Sequence, residues 1–193
     1  VWLNAGSRIT YSQGFGVGNR KIELIGEGYF EVKRNEEVPF LVKTNSLLVK
    51  VLGTKFNFRD YPDDAEAIVS LSEGKVALNN LLKKEKEAFL LPNERVVLNK
   101  KNGRMHVEYS TVSNALQWTN GYLFFDEELL PDVVKELERS YNVKIQIASD
   151  TLNTFRFYGN FVHREQNIQE VLEALSATRK IHYIIEGHNI TLY

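Results

Sequence analysis

The chain has 193 residues, with 24 basic and 25 acidic side chains, a formal net charge of −1, 43% hydrophobic and 11% aromatic content, and no cysteine. That composition supports packed cores rather than disorder, and the length suffices for one large or two small domains. The near-cancellation of charge excludes the basic footprint that nucleic acid or an anionic surface would require. The lack of cysteine excludes disulfides, thiolate metal sites and a cysteine nucleophile.

From Val1 to about Tyr109 the pattern is that of short strands. Gly28-Tyr29-Phe30-Glu31-Val32, Phe40-Leu41-Val42-Lys43-Thr44 and Lys55-Phe56-Asn57-Phe58 alternate or nearly so and are rich in β-branched and aromatic residues. Turn signals separate them at Tyr61-Pro62-Asp63-Asp64, Ser72-Glu73-Gly74-Lys75, Leu91-Pro92-Asn93-Glu94 and Lys101-Asn102-Gly103. A strand recurs roughly every ten residues, the spacing of a sandwich, a barrel or a β-solenoid. This half is therefore expected to be a mainly β domain of about ten short strands over residues 1–108.

After Tyr109 the period changes. Leu129, Leu130, Val133, Val134, Leu137 and Tyr141 predict one helix, with Pro131 in its first turn. A second helix is predicted to start near Asn167, where Asn167 and Glu170 have capping-box spacing. Strands are predicted on either side of each helix: Gly121–Phe125, Val143–Ile147, Phe155–Phe161, Ile181–Ile185 and Ile190–Tyr193. The expectation for residues 109–193 is a small α+β domain of βαβ–βαβ type closed by a hairpin at Glu186-Gly187-His188-Asn189. The linker is expected at Tyr109 to Leu116. No apolar stretch is long enough to span a bilayer. The chain opens inside an apparent strand and its one methionine is Met105, so any targeting or membrane segment is expected to lie outside it.

Candidate chemistry is sparse. His106, His163, His182 and His188 have no metal-ligand spacing and read as surface or turn residues. Glu27 and Glu31 share a strand face with Tyr29, which reads as a solvated face opposite a core face. Gly14-Phe15-Gly16-Val17-Gly18 lacks the Lys-Ser/Thr and the helix of a phosphate loop, and reads as a loop that exposes Phe15 and Val17. At Gly53-Thr54 the apolar series shifts phase, from Leu47, Val49 and Val51 to Phe56 and Phe58, as a β-bulge would require. No cofactor or metal is expected.

Val1-Trp2-Leu3-Asn4-Ala5-Gly6-Ser7, Gly26 to Val32, Val51 to Phe58, Val69 to Val76 and Trp118-Thr119-Asn120-Gly121 closely resemble signature stretches of the FecR domain. Leu137 to Val143 and Phe157-Tyr158-Gly159-Asn160-Phe161 resemble the domain that follows it, which is similar to the short βαβ signalling domain of secretins and TonB-dependent transporters. The chain departs from the family pattern at Gly28, where Ala is usual, and at Asn93, where Gly is usual. Asn tolerates positive φ, so the turn at Pro92-Asn93 is expected to survive. The resemblance implies a non-enzymatic, periplasmic region of an anti-sigma factor anchored in the inner membrane of a Gram-negative bacterium. A cytoplasmic segment outside this chain would hold the sigma factor, and the periplasmic signalling domain of a TonB-dependent outer-membrane transporter would be the partner. It also implies Gly53-Thr54 as a self-cleavage candidate, the threonine hydroxyl attacking the preceding carbonyl with help from backbone strain at the glycine. Partner-binding candidates are Phe15 and Val17, and the final strand Asn189, Ile190, Thr191, Leu192 and Tyr193, expected to be an open edge able to accept another strand. The rival reading is a carbohydrate-binding or adhesive β-module, against which stands the wide sequence separation of Trp2 and Trp118.

Overall fold

The computed structural model describes residues 1–110 and 116–193. The chain divides into two compact units, Val1–Thr119 and Asn120–Tyr193. That division falls past the 108/109 boundary expected from the change of period. The expected linker, Tyr109 to Leu116, lies largely outside the described residues.

The first unit is built from β1 (Trp2–Leu3), β2 (Arg8–Tyr11), β3 (Arg20–Glu31), β4 (Phe40–Lys43), β5 (Leu47–Val51), β6 (Lys55–Asp60), β7 (Glu66–Glu73), β8 (Val76–Asn80), β9 (Ala88–Leu90), β10 (Glu94–Asn99) and β11 (Met105–Tyr109). They form one sheet path in the order β11-β10-β7-β6-β3-β4-β5-β8-β9, with β1 and β2 also paired to β3. The long strand β3 explains the path. Its first half pairs with β2 and, in parallel, with β4; its second half, Gly26 to Glu31, pairs with β6 and β1. The changeover sits at Gly26, whose φ of +100° is a conformation L side chains rarely adopt.

The two halves of the path face each other across one core. Ile22, Leu24, Phe40, Val49 and Leu78 from one half belong to the same buried cluster as Phe30, Phe56, Phe58, Val69 and Val96 from the other. Phe30 stacks on Phe56 at 5.0 Å and meets Phe40 across the layers at 6.0 Å. Burying each such ring contributes about 1.5–3 kcal/mol. Of the expected architectures, two halves packed on one core correspond to the sandwich. The turn at Pro92-Asn93 holds Asn93 at φ +66°, as the sequence required.

The second unit contains β12 (Tyr122–Leu129), α1 (Leu130–Tyr141), β13 (Lys144–Ile147), β14 (Arg156–Val162), α2 (Ile168–Ser176), β15 (Tyr183–Glu186) and β16 (Asn189–Leu192). Pro131 stands in the first turn of α1, and Asn142 closes it in the left-handed conformation. The Asn167–Glu170 capping box at α2 is present, each side chain bonding the other residue's backbone N–H. Val133, Leu137, Val171, Leu172 and Leu175 of the two helices are fully buried with Phe125, Phe157 and Phe161. The sheets separate: β12 pairs with β14, while β13, β16 and β15 form a three-stranded sheet in that order. The β13–β16 pairing is parallel and the β15–β16 hairpin antiparallel.

Gly159 is required by close approach rather than by its backbone angles. It lies between Phe157 and Phe161, whose rings stack almost in parallel, and a Cβ there would fall 2.6 Å from the Phe157 ring. Alternation along β14 puts all three residues on the core face.

Candidate partner-binding surfaces and the Gly53-Thr54 corner

The face of β3 carrying Glu27 is not solvated. Glu27 is only 4% exposed. Its carboxylate accepts from Asn4 Nδ2 at 2.9 Å and from Asn57 Nδ2 at 2.8 Å, with Arg59 at 3.8 Å. Asn57 in turn accepts from the Trp118 indole N–H at 3.2 Å. The strand register puts Trp2 opposite Tyr29 and Tyr29 opposite Asn57, so Trp2, Tyr29 and the residue held by Trp118 share one face. The wide sequence separation of the two tryptophans therefore does not hold in space. A second set of bonds tightens the same region: Tyr61 donates to Ala5 O at 2.7 Å, the Glu27 N–H donates to Ser7 Oγ at 2.8 Å, and Lys100 pairs with Asp60 at 2.6 Å. These bonds join buried polar groups to partners far away in sequence, as burial demands.

Gly53-Thr54 is a corner, not a bulge within a strand. It joins β5, which pairs with β4 and β8, to β6, which pairs with β3 and β7. The apolar phase shifts there because the chain changes layer. The bulge in this region is on β7, where Glu73 and Leu71 face successive residues Lys55 and Phe56. Glycine is needed at 53 because a Cβ would lie 2.6 Å from Arg34 Cα. The segments are held together by Val32 N to Thr54 O at 3.0 Å and Thr54 N to Val32 O at 3.2 Å. Gly53 is not among the glycines at positive φ, so the backbone strain expected to assist cleavage has no counterpart there. Thr54 is buried, and its hydroxyl donates to Lys75 O at 3.0 Å. A carbonyl cannot take the proton that a nucleophilic threonine must give up, so this geometry supports an anchoring role. Thr54→Ala should cost about 1 kcal/mol by removing the hydroxyl's bond to the Lys75 carbonyl, and Thr54→Ser should recover most of it. Urea unfolding measures both. A two-fragment pattern on denaturing gels in the parent that Thr54→Ala abolishes would instead make Thr54 the nucleophile.

The glycine-rich loop joins β2 to β3. Phe15 is held between Tyr11 at 5.5 Å and Phe40 at 6.2 Å, and remains 37% exposed. Val17 is 85% exposed. Phe15 thus anchors the loop to the core and Val17 presents its tip.

The final strand is not an open edge. Asn189 to Leu192 lie in the middle of their sheet, between β13 and β15. Ile190 and Leu192 are core residues, and Tyr193 exchanges both backbone bonds with His182. Sequence position suggested an edge because the strand is the last element; the parallel pairing with β13 overturns that. The edges of this sheet are β13 and β15.

The histidines stay apart. His163 is half-buried, bonded to Ser140 O at 2.8 Å and packed against the Tyr141 ring at 4.8 Å, so it is a packed residue rather than a surface one. His106 faces Glu108, and His188 stands in the β15–β16 turn. Among the described residues no group of three or more His, Asp or Glu side chains is placed to hold a metal ion. Among them, too, no helix is long and apolar enough to cross a membrane.

Two sequence profiles match the chain in succession. The FecR protein profile covers residues 1–77 and the FecR C-terminal profile covers residues 122–192. The chain belongs to the FecR family. Two crystal structures of an anti-sigma factor candidate from Parabacteroides distasonis ATCC 8503 are similar to it over nearly its whole length. Both are 33% identical and cover 99% of this chain; the TM-scores are 0.88 and 0.87, over 88% and 87% of those chains. No protein among those curated for function matches it. The FecR profile ends within β8, so Trp118, whose indole holds the far end of the first unit to Asn57 of β6, lies between the two profiles. In sequence, the signal for that contact was the Trp118-Thr119-Asn120-Gly121 motif. Nothing in sequence paired it with Asn57.

Proposed function

We propose that this chain is the periplasmic signal-transducing region of a FecR-type anti-sigma factor. In the full-length protein it is anchored in the inner membrane, and a cytoplasmic segment outside this chain holds the sigma factor. It works by protein–protein binding, not catalysis, and its partner is the periplasmic signalling domain of a TonB-dependent outer-membrane transporter. The observation that carries this reading is the order of the two family matches, a FecR domain followed by its C-terminal domain, over a chain whose whole length superposes on an anti-sigma factor candidate.

The net charge of −1 gives little electrostatic steering, so binding should depend only weakly on salt. A transient signalling contact should have an affinity on the order of micromolar. Calorimetric titration of the cognate transporter's signalling domain into the intact chain is the test. Saturable one-to-one binding is the expected result. Absence of heat at high concentration, or saturable binding of a member of a glycan panel, would overturn the reading in favour of another ligand class.

A further inference from the structure

The second unit has four strand edges, and they are treated differently. At β13, the Ile145 N–H pointing away from β16 is taken by the Glu138 carboxylate of α1 at 2.9 Å. At β14, the pairing of His163 with Gly121 turns the Val162 N–H outward, where Gln166 Oε1 accepts it at 2.8 Å. At β12, the edge is broken by a bulge between Phe125 and Glu128, with Glu127 at φ +53° and two acidic residues, Asp126 and Glu127, in the interruption. Side-chain caps, bulges and charges are the devices by which proteins stop an edge from pairing with another chain. Among the described residues the β15 edge has neither a side-chain cap nor a bulge, and its one charge is Glu186 at its end.

The register says which groups that edge presents. His182 and Tyr193 exchange both backbone bonds. Hydrogen-bonded and non-bonded pairs alternate along an antiparallel ladder. Ile184 and Glu186 therefore bond to β16, while the N–H and C=O of Tyr183 and Ile185 face outward. Beside them Ile184 is 50% exposed and Ile185 40% exposed, one on each face of the sheet.

We infer that β15 is a strand-addition site, and that its occupant is an extended segment of the transporter's signalling domain, lying antiparallel to Tyr183–Glu186. This rests on the proposed function and gives its interface. The segment has aliphatic or β-branched residues against Ile184 and Ile185. The flanks of β15 set its charge: exposed Arg179 and Lys180 precede the strand and Glu186 ends it. An antiparallel partner matches this with a basic residue near Glu186 and an acidic one near Lys180. A second copy of the chain is the weaker occupant. Two four-residue strands bury well under the roughly 1,200 Å² of a stable interface.

Ile185→Pro is the discriminating variant. It deletes an outward N–H and no bond to β16, so the hairpin persists. Ile184→Lys adds a charge at an exposed position. Each is titrated in the intact chain with the cognate transporter's signalling domain, alongside hydrogen exchange of the Tyr183 and Ile185 amides. The expected result is roughly a tenfold or greater rise in Kd for both variants, unchanged melting temperatures, and slowed exchange of those two amides on binding. Wild-type binding that both variants retain would overturn the edge assignment while leaving the proposed function standing. No binding by the wild type would overturn both. A concentration-dependent dimer in sedimentation that Ile185→Pro abolishes would reassign the edge to a second copy.

Discussion

Gly26→Ala should destabilise the first unit by about 3 kcal/mol or more, a large part of the stability of a domain this size. Two effects act together. The φ of +100° is unfavourable for any L side chain. A Cβ would also sit 2.4 Å from Ser7 Oγ and 2.8 Å from Ser7 Cα, and the second of these is backbone that cannot rotate away. Ser7 Oγ is the acceptor for the Glu27 N–H, so relieving the clash breaks that bond as well. Urea unfolding followed by circular dichroism should show an early transition or no folded β signal. A shift below 1 kcal/mol would mean that β3 can cross between layers without this bend.

Asn57→Leu should cost about 3 kcal/mol, because it strands two partners at once, the buried Glu27 carboxylate and the half-buried Trp118 indole. The Glu27 carboxylate loses a 2.8 Å donor, and the Trp118 indole N–H loses its acceptor. Leucine has the same branched four-atom skeleton, so the loss comes from unsatisfied polar groups rather than from a cavity. The variant also carries its own reporter. In a Trp2→Phe background, Trp118 is the one tryptophan left, and its emission should shift to the red as the indole leaves the sheet. Unchanged emission with the expected loss of stability would show that packing, not the Asn57 bond, holds Trp118 in place.

Much of the fold could be read from residues close together in sequence. The helix at Leu130–Tyr141 followed from its apolar spacing, the start of α2 from Asn167 and Glu170, and the closing hairpin from Gly187. What could not be read was what lies against what. Alternation assigned Glu27 to the face opposite the core, correctly. It could not say that Asn4, Asn57 and Trp118 would cover that face. The phase shift at Gly53 was visible, but a bulge and a change of layer produce the same pattern in one strand; only the partners of β5 and β6 separate them. Asn189 to Tyr193 seemed an edge for the same reason: a terminal strand next to a hairpin has one visible neighbour, and its second, β13, lies on the far side of α2 in sequence. The candidate surface shifted accordingly, from β16 to the adjacent β15.

The central position of β16 has a consequence for the order in which the second unit comes into being. Lys144 to Ile147 have no partner strand until Asn189 to Leu192 arrive, and those are later in sequence than every other element of the unit. Such distant pairing must overcome loop-closure entropy before any contact rewards it, which slows folding. A chain emerging N-terminus first, from a ribosome or through a membrane, can complete its first unit while the second is still a helix and two unpaired sheet fragments. The second unit then gains its three-stranded sheet in one late step. Loss of only the last few residues would remove the middle of that sheet rather than trim its border.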